Sequence, residues 1–441
     1  MAKNKSKLKR KAKGPPKANY AGNVILHLSD LHFGYDLDEQ AKAERKNALD
    51  DLISIINNQK PDWKPTIICI TGDIAMKASS KDYSEAKTWL EELLSRLKLK
   101  SKYLFICPGN HDVQRNIAEG IGGPRDNMEA DRFLSIDSFE NHIIPFVEFQ
   151  KFCSSLSIPP YLIGDMESHL TGIRIINNIK FVCLNSAWFS QRYQNGGEFI
   201  DDGKLWVGLP LLIHFESRGD FPYFEKHADS IFTIVIFHHP FEILHENERN
   251  ERKPRKNTQE FIAHRSHLIL TGHDHGVPTD PTPILTRAFH FRGGATYDNS
   301  KYENSFHLIR LEDHHLLEKR FIYQPSSSTS SWSQRDEPKK QYYWDYAEKI
   351  IEEKEKQKNI DKIENNRMSF QEIMLQGDYE NGLKILDSGA ELLISLSPQL
   401  TLEEKSIFKS KYSDSVQHNL PLMKSEQICK FRKIMLRILD I

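Results

Sequence analysis

The chain of 441 residues lacks the features that mark secreted and membrane proteins. It has only five cysteines and no C-x-x-C pair, and their spacing is irregular: Cys69, Cys107, Cys153, Cys183 and Cys429. An odd, irregular set does not suggest a disulfide framework, and it fits small apolar side chains in a reducing cytosol. The longest apolar runs are of strand length, far short of the roughly 20 residues of a membrane span. We therefore predict a cytoplasmic protein with no membrane segment.

The chain also lacks a strong net charge, but its basic residues are unevenly placed. The formal charge is -1 at pH 7, so no overall attraction to nucleic acid or membrane is expected. Lys3 to Lys17 nevertheless carries eight basic residues and no acidic one, and no apolar signal-peptide segment follows it. We predict that residues 1–20 are a disordered basic arm, either a solvated tail or a tether to phosphate backbones. The loop Arg249–Lys256 is likewise basic, and it either grips phosphates or is simply solvated.

Five apolar runs of strand length each end at residues that commonly bind metals. The central run, Leu104–Cys107, leads through Pro108 into the turn Gly109-Asn110-His111-Asp112. The other four runs end at Asp30-Leu31-His32, Gly72-Asp73, His238-His239-Pro240 and Gly272-His273-Asp274-His275. Open α/β sheets build their active sites at the carboxyl ends of buried strands. We therefore expect these turns to meet in one place.

The order of apolar and helical patterns predicts a layered α/β sheet with helices outside. Strands alternate with helices at about Glu39–Asn58 and Asp82–Leu97 as far as Cys107. Residues 113–170 break this rhythm and include a predicted helix, Phe139–Leu156. Because this insertion directly follows the central turn, we expect it to shape a substrate pocket. A hairpin on Asn177-Asn178 follows, and aromatic residues after it either stack on a base or pack in the core: Trp188, Tyr193 and Trp206.

The C-terminal part of the chain changes in composition. Pro325 to Lys340 is rich in serine and then in charge, which is typical of a linker. Beyond it, residues 341–441 predict a small all-α domain that carries no catalytic constellation, so we interpret it as a protein-interaction domain. The predicted helices are Trp344–Asn359, Ser369–Gln376, Tyr379–Ile394, Leu402–Lys409 and Ser425–Leu439. The predicted organisation is therefore an arm at 1–20, a main domain at 21–324, a linker at 325–340 and the helical domain.

In chain order, the motifs D-x-H, G-D, G-N-H-D, H-x-P and G-H-x-H resemble those of the calcineurin-like metallophosphoesterases. The resemblance extends from about Asn23 to Tyr323, and five ordered motifs at predicted strand ends are much more specific than any one of them. It implies a layered β-sandwich flanked by helices, with a centre of two metal ions. The segments Gly293–Tyr297 and Asn304–Phe306 loosely resemble the cyclic-nucleotide-phosphodiesterase-like branch of this family.

The resemblance also implies a role for each motif residue. Asp73 would bridge the two metals, and the remaining ligands would be Asp30, His32 and His275 for the first metal and Asn110, His238 and His273 for the second. His111 would protonate the leaving oxygen as a general acid, and Asp112 would orient His111. H-x-P selects His238 rather than His239, and strand alternation places His239 on the opposite face. Imidazole, carboxylate and amide ligands suit Mn²⁺, Fe, Zn²⁺ or Ni²⁺, and we favour Mn²⁺.

Three functions are consistent with the sequence. The first is a binuclear phosphodiesterase that hydrolyses a nucleotide or cyclic nucleotide with a metal-activated hydroxide. The second is a DNA or RNA nuclease with the same chemistry, which the basic arm, the Arg249–Lys256 loop and the helical domain favour. The third is a catalytically silent scaffold that acts through residues 341–441, although such a scaffold has no need of His111. A phosphomonoesterase or protein phosphatase is ranked below these.

Overall fold

The structure, a computed structural model, divides the chain into two compact units. The first unit is Met1–Tyr346 and the second is Ala347–Ile441. The predicted basic arm, apart from its last residue, and most of the Arg249–Lys256 loop lie outside the described residues, as does Tyr193. The described residues are 20–35, 38–190, 201–224, 231–250, 257–276, 282–284, 288–298, 303–313, 315–324, 331–335, 340–343, 345–414 and 423–440.

Strands dominate the first unit and helices the second. The strands are β1 Val24–Leu28, β2 Ile67–Thr71, β3 Leu104–Cys107, β4 Tyr161–Ile163, β5 Met166–Ser168, β6 Gly172–Ile176, β7 Ile179–Cys183, β8 Phe232–Ile236, β9 Leu268–Thr271, β10 Thr282–Ile284, β11 Ala288–Arg292, β12 Ser305–Leu311, β13 His315–Gln324, β14 Ser331–Gln334 and β15 Lys340–Tyr343. The α-helices are α1 Glu39–Asn57, α2 Ser80–Leu97, α3 Arg115–Ile121, α4 Asn127–Phe133, α5 Val147–Ser155, α6 Leu209–Ser217, α7 Glu246–Arg249, α8 Thr258–Ala263, α9 Asp345–Leu375, α10 Tyr379–Leu396, α11 Leu402–Asp414 and α12 Ser425–Leu439. None of the described helices is long and apolar enough to span a bilayer.

The strands of the first unit form two mixed sheets. One has the order β14-β13-β12-β1-β2-β3, with β15 also paired to β13, and the other has the order β10-β11-β9-β8-β7-β6-β4-β5. The strands β1, β2 and β3 are parallel to one another, and so are β7, β8, β9 and β11. All the strands that lead into the five motifs therefore end at the carboxyl edge of a parallel set.

The two sheets pack face to face, and helices cover the first sheet on its other side. Every residue of β1, β2, β3, β7, β8 and β9 is buried, as expected for apolar strands covered on both faces. Between the sheets, the ring of Phe105 stacks on that of Phe181 with centroids 3.7 Å apart. The apolar residues of α1 and α2, such as Leu52 and Leu90, join the same core as the strands. The predicted layered β-sandwich flanked by helices is confirmed.

Local turn chemistry accounts for both a confirmed element and a broken one. Asn177 and Asn178 link β6 to β7 with φ values of 50° and 59°, as a two-residue hairpin turn requires, and this confirms the predicted hairpin.

The predicted helix Phe139–Leu156 is not continuous, because its first part forms two short 3₁₀ turns and only its second part forms the helix α5. Pro145 explains the break, because proline disfavours helical backbone at the preceding residue and has no N–H to donate.

The predicted linker is partly a piece of the sheet. Residues 331–334 and 340–343 form β14 and β15, which both pair antiparallel with β13. Trp332 anchors this segment, because its indole N–H donates to the carbonyl of Ala48 at 2.7 Å and its ring is buried. Its backbone N–H also bonds the carboxylate of Asp51. The contacts of one buried tryptophan thus help to hold in the sheet a segment whose composition is typical of linkers.

The second unit is an all-α unit with a core of its own. Four apolar residues of α12 are buried, Phe431, Ile434, Met435 and Ile438, as the spacing of that helix predicts. Where two helices are predicted, at 344–359 and 369–376, the chain forms the single helix α9. The residues between them include no glycine or proline, so nothing ends the helix there. The buried residues of the other helices include Phe370, Leu386 and Tyr412.

Candidate metal centre

The five motif turns come together at the carboxyl edges of the two sheets. Asp30, Asp73 and Asn110 follow β1, β2 and β3 of the first sheet, and His238 and His273 follow β8 and β9 of the second. The side chains of the aspartates and histidines belong to groups whose potential ligand atoms lie within 4.8 Å of one another, and Oδ1 of Asn110 lies 3.1 Å from Nε2 of His238. The sequence motifs are therefore parts of one site.

The first cluster contains Asp30, His32 and His275. The Nε2 atom of His275 lies 3.2 Å from Oδ1 of Asp30 and 3.3 Å from Nε2 of His32. On its other side, Nδ1 of His275 is 2.7 Å from the carboxylate of Asp298, so Nδ1 carries the proton and donates it there. Nε2 of His275 therefore points into the cluster. Asp298 was not identified from the sequence, although it directly follows the Gly293–Tyr297 segment that was singled out.

The second cluster is built around His238. Its Nδ1 donates to the carbonyl of Thr71 at 2.7 Å, so Nε2 is the nitrogen that faces the cluster. That atom lies 3.1 Å from Oδ1 of Asn110, 3.2 Å from Oδ2 of Asp73 and 3.3 Å from Nδ1 of His273. A carboxylate, an amide oxygen and imidazole nitrogens thus converge in one buried place that attracts positive charge, either a proton on His238 or a metal ion. These are ligand types that fit a divalent metal.

Asp73 lies within reach of both clusters. It belongs to one group with Asp30 and His238 and to another with His32 and His111. Its Oδ1 accepts the backbone N–H of His111 at 2.7 Å, while Oδ2 faces His238. A carboxylate placed in this way fits a bridging ligand, as the resemblance implies.

The electrostatics of the site also suit a positive ion. Burial lowers the pKa of His32 and of His273 to about 3, so both are neutral, as ligands must be. Burial alone would raise the pKa of Asp73, but the imidazole of His238 holds it well below its ordinary value. Burial opposes a charge on His238 and His275 too, yet the neighbouring carboxylates raise their pKa values to about 9 and about 11. The carboxylates thus strongly attract positive charge, which a metal ion would supply in place of protons.

His111 lies beside both clusters with its ring held in one orientation. Its Nδ1 lies 2.9 Å from the carbonyl of Met76 and 3.1 Å from the guanidinium of Arg115, and these two contacts leave Nε2 on the opposite side of the ring. The ring packs edge-on against His32, with centroids 4.8 Å apart. Burial lowers the pKa of His111, while the charge of Asp73 opposes this shift and that of Arg115 adds to it.

Asp112 does not act on His111 as expected. Its carboxylate accepts backbone N–H groups from Ile74 at 3.3 Å, Ala75 at 3.1 Å and Gly109 at 2.9 Å, and the hydroxyl of Tyr83 at 3.0 Å. Among the described residues, none of its hydrogen bonds reaches the His111 ring. Asp112 therefore ties the turn after β2 to the turn after β3, and it positions His111 only through the backbone.

His239 also departs from the expectation that it faces away. Its Nε2 lies 3.1 Å from Oδ1 of Asn110, the same distance as that of His238. The alternation of side chains holds only within a strand, and β8 ends at Ile236, before this pair. Ser186, which the sequence did not single out, contacts the Nδ1 of His239 at 2.9 Å.

Three other residues that the sequence singles out, His27, Trp188 and Trp206, are buried. His27 is buried in β1 and bonds the hydroxyl of Thr71, in keeping with a core histidine. Trp188 and Trp206 are buried rather than open to a base, and Trp206 stacks on His245. The predicted pocket-shaping insertion places Arg115, the first residue of α3, 3.1 Å from the His111 ring.

Comparisons with known proteins identify a family. Residues 24–277 match the family described as calcineurin-like phosphoesterase. No curated protein matches the chain. Among solved structures, a dimetal phosphatase from Danio rerio shares 11% identity over 74% of this chain and 99% of its own, with a TM-score of 0.41. Vps29 from Chaetomium thermophilum shares 10% over 73% and 97%, with a TM-score of 0.28. The 5′-nucleotidase of Candida albicans shares 8% over 67% and 48%, with a TM-score of 0.32.

Proposed function

The chain belongs to the calcineurin-like phosphoesterase family, and from this we propose that it hydrolyses a phosphodiester of a nucleotide or cyclic nucleotide with two divalent metal ions. The observation that carries the proposal is the set of buried ligand atoms around Nε2 of His238, namely Oδ1 of Asn110, Oδ2 of Asp73 and Nδ1 of His273. The neighbouring cluster of Asp30, His32 and His275 provides a second place for an ion. We favour Mn²⁺ among the metals that accept imidazole, carboxylate and amide ligands.

Each proposed ligand has a separate task. Asp73 would hold both ions, together with Asp30, His32 and His275 for the first ion and Asn110, His238 and His273 for the second. Two ions held there would bind the phosphate oxygens and lower the pKa of a water that attacks phosphorus. The protein fixes the ligand rings through their far nitrogens, as the bond from His238 to the Thr71 carbonyl illustrates.

His111 is the proposed general acid. Because Nδ1 is engaged by the Met76 carbonyl and by Arg115, Nε2 is the atom that would hold a proton and pass it to the leaving oxygen. The backbone N–H of His111 also bonds Asp73, so the position of the acid is tied to that of the proposed bridging ligand. A scaffold that used its metal site only for stability would not need this arrangement.

A nuclease is the second candidate, and the eight basic residues between Lys3 and Lys17 favour it. In that case, the helical unit would serve as a docking module for a protein partner. For either candidate we propose a cytoplasmic location, because the buried cysteines Cys69, Cys107, Cys153 and Cys183 are all free thiols.

The test is Mn²⁺-dependent hydrolysis of 3′,5′-cyclic AMP and of linear DNA, side by side at low salt. Turnover of the cyclic nucleotide alone supports the phosphodiesterase, and cleavage of DNA alone, with steep salt dependence, supports the nuclease. His111→Ala should lower the rate by roughly 10²-fold or more while both ions remain bound. His264, a half-buried histidine that bonds Glu260, provides the control His264→Ala, which should keep full activity. If neither substrate is hydrolysed and partner binding requires only residues 341–441, the scaffold is the better account.

A further inference from the structure

Two helices of the second unit enclose a groove. The helices α10 and α12 share one apolar core, and a cavity of about 570 Å³ lies between their exposed sides. Its lining includes Leu383 and Ile434, which are only 5% and 7% exposed and therefore form a recessed apolar floor. We call this feature the α10–α12 groove. Its volume lies within the range of about 300–1,000 Å³ that is usual for ligand-binding sites.

Positive charge predominates along the walls of the groove. Three acidic side chains line it, from Glu380, Asp387 and Glu426, against five basic ones. The basic residues come from α10 in one case and from α12 or its N-cap in four: Lys384, Lys424, Lys430, Lys433 and Arg437. The second unit as a whole carries 15 basic and 16 acidic residues. The excess of positive charge is therefore a property of the groove and not of the whole unit.

Only part of this positive charge is neutralised within the groove. Arg437 bonds the carboxylate of Asp387 at 2.8 Å, and the Lys430 ammonium lies 4.0 Å from the carboxylate of Glu426. The other three basic residues are exposed and make no ion pair within the described part of the second unit: Lys384, Lys424 and Lys433. Their ammonium groups are therefore available to the carboxylates of a ligand.

The groove is better suited to a peptide than to a nucleic acid or a membrane. None of the described residues that line it is aromatic, whereas single-stranded nucleic acids stack their bases on aromatic rings. Its three carboxylates would also repel closely spaced phosphates. A flat lipid surface cannot reach the recessed floor. An amphipathic peptide can place an apolar side chain on the floor and its carboxylates at the walls.

We propose that the α10–α12 groove binds a short acidic segment of a partner protein. An apolar side chain of that segment would contact Leu383 and Ile434, and its carboxylates would pair with Lys384, Lys424 and Lys433. Exposed ion pairs each contribute little, so the apolar contact holds the segment while the charges select it. The inference does not depend on the proposed hydrolysis, because all the residues that carry it belong to the second unit.

Fluorescence anisotropy of the full chain with labelled peptides tests the proposal. The probe is the acidic peptide Asp-Glu-Leu-Asp-Glu-Leu-Leu-Glu-Asp-Leu, whose leucines lie on one face when it is helical. Two control peptides have the same length, one with lysine at every acidic position and one with serine at every leucine position. Low salt preserves the attraction between exposed charges. EDTA keeps metal ions away from the first unit, so the result is independent of the proposed hydrolysis.

Two pairs of substitutions locate the binding site. Lys384→Glu/Lys433→Glu reverses two charges of the groove and should weaken binding of the acidic peptide by about tenfold or more. Lys362→Glu/Arg432→Glu is the matched control, because it changes the net charge equally at two exposed residues of the same unit that do not line the groove. The basic segment from Lys3 to Lys17 is present in all three proteins, so any binding to it is common to them.

The expected result is binding of the acidic peptide that only the groove variant weakens, with both control peptides bound at least about tenfold more weakly. No binding of the acidic peptide, equal binding of the serine peptide, or an equal loss in both pairs of variants would overturn the proposal. If Lys384→Glu/Lys433→Glu fails to fold, as judged by circular dichroism, the neutral pair Lys384→Gln/Lys433→Gln takes its place, and unchanged binding by that pair would be equally decisive against the groove.

Labelled DNA and vesicles that contain phosphatidylserine test the other classes of partner. Neither should bind through the groove, so the groove variant should bind both as the wild type does. If the wild type binds DNA or vesicles more tightly than the acidic peptide and the groove variant loses that binding, the groove recognises phosphates and the proposal is wrong.

Discussion

Replacing Gly272 by alanine tests how tightly the first cluster is held. A Cβ atom at this position would lie 1.8 Å from Oγ of Ser29, 2.8 Å from the carbonyl oxygen of Thr71 and 2.9 Å from Oδ2 of Asp30. Contacts this short do not occur in folded proteins, so the neighbours must move. The Ser29 hydroxyl has to move by more than an ångström, and it is bonded to the Asp30 carboxylate at 2.5 Å.

The cost follows from these contacts. Overpacking a buried site costs about 1–3 kcal/mol. The displaced bond from Ser29 to a buried carboxylate is worth about 1.5–3 kcal/mol. We therefore expect Gly272→Ala to lower the free energy of unfolding by about 2.5–6 kcal/mol. Because Asp30 loses the group that orients it, the variant should also lose the ion at the first cluster.

Urea denaturation and metal analysis of a double-mutant cycle provide the assay. Ser29→Ala removes the atom closest to the new methyl group, so the double variant should be more stable than the sum of the two single changes by at least about 1 kcal/mol. Gly276→Ala is the control, because a Cβ there meets nothing within 4 Å. Additive effects in the cycle, or two ions retained by Gly272→Ala, would refute the close-contact argument.

Three other predictions concern stability. Burial opposes a charge on Glu318, but His307 and Arg320 hold its pKa at about 2, below the ordinary 4.5. Glu318→Gln should therefore lower the free energy of unfolding by about 3 kcal/mol at pH 7, and this difference should shrink as the pH falls from 4.5 toward 2. A difference between the two proteins that does not change with pH in urea titrations would contradict this. Asn178 has a φ of 59°, a left-handed conformation that glycine adopts more easily than asparagine, so Asn178→Gly should stabilise the fold by about 0.5 kcal/mol and raise the Tm. A lower Tm would contradict this. Mn²⁺ at 100 times its dissociation constant should add about 2.7 kcal/mol per site to chelator-treated protein, and an unchanged Tm would argue against a buried metal site.

The parts of the fold that depend on local pattern could be predicted from the sequence. Apolar runs ending in polar turns predicted the motif-bearing strands, and parallel pairing then brings their ends together without further information. The amphipathic spacing of Ser425–Leu439 predicted α12 to the residue. The structure brings together the seven residues that the motifs single out as metal ligands, while their individual roles stay predictions.

The parts of the fold that depend on contacts between distant residues could not be predicted from the sequence. The strands β14 and β15 form because each pairs with a different part of β13 and because Trp332 bonds α1. No local sequence pattern indicates these contacts. His239 was misplaced because strand alternation was extended past the end of β8. Asp298 lies 23 residues after His275, and only the return of the chain through β11 brings its carboxylate to that ring.

The backbone of the site explains why the motifs D-x-H and G-D belong together. Asp30, His32 and Asp73 all have positive φ values, of 53°, 46° and 53°. Left-handed backbone costs roughly 1–2 kcal/mol per residue and persists only where surrounding contacts impose it. Those contacts run between the two turns, because the N–H groups of Leu31 and His32 both donate to the carbonyl of Asp73, and that of Asp30 donates to the carbonyl of Gly72. Each turn therefore holds the other in its strained form, so a substitution that relaxes one should disturb the proposed ligands of both ions.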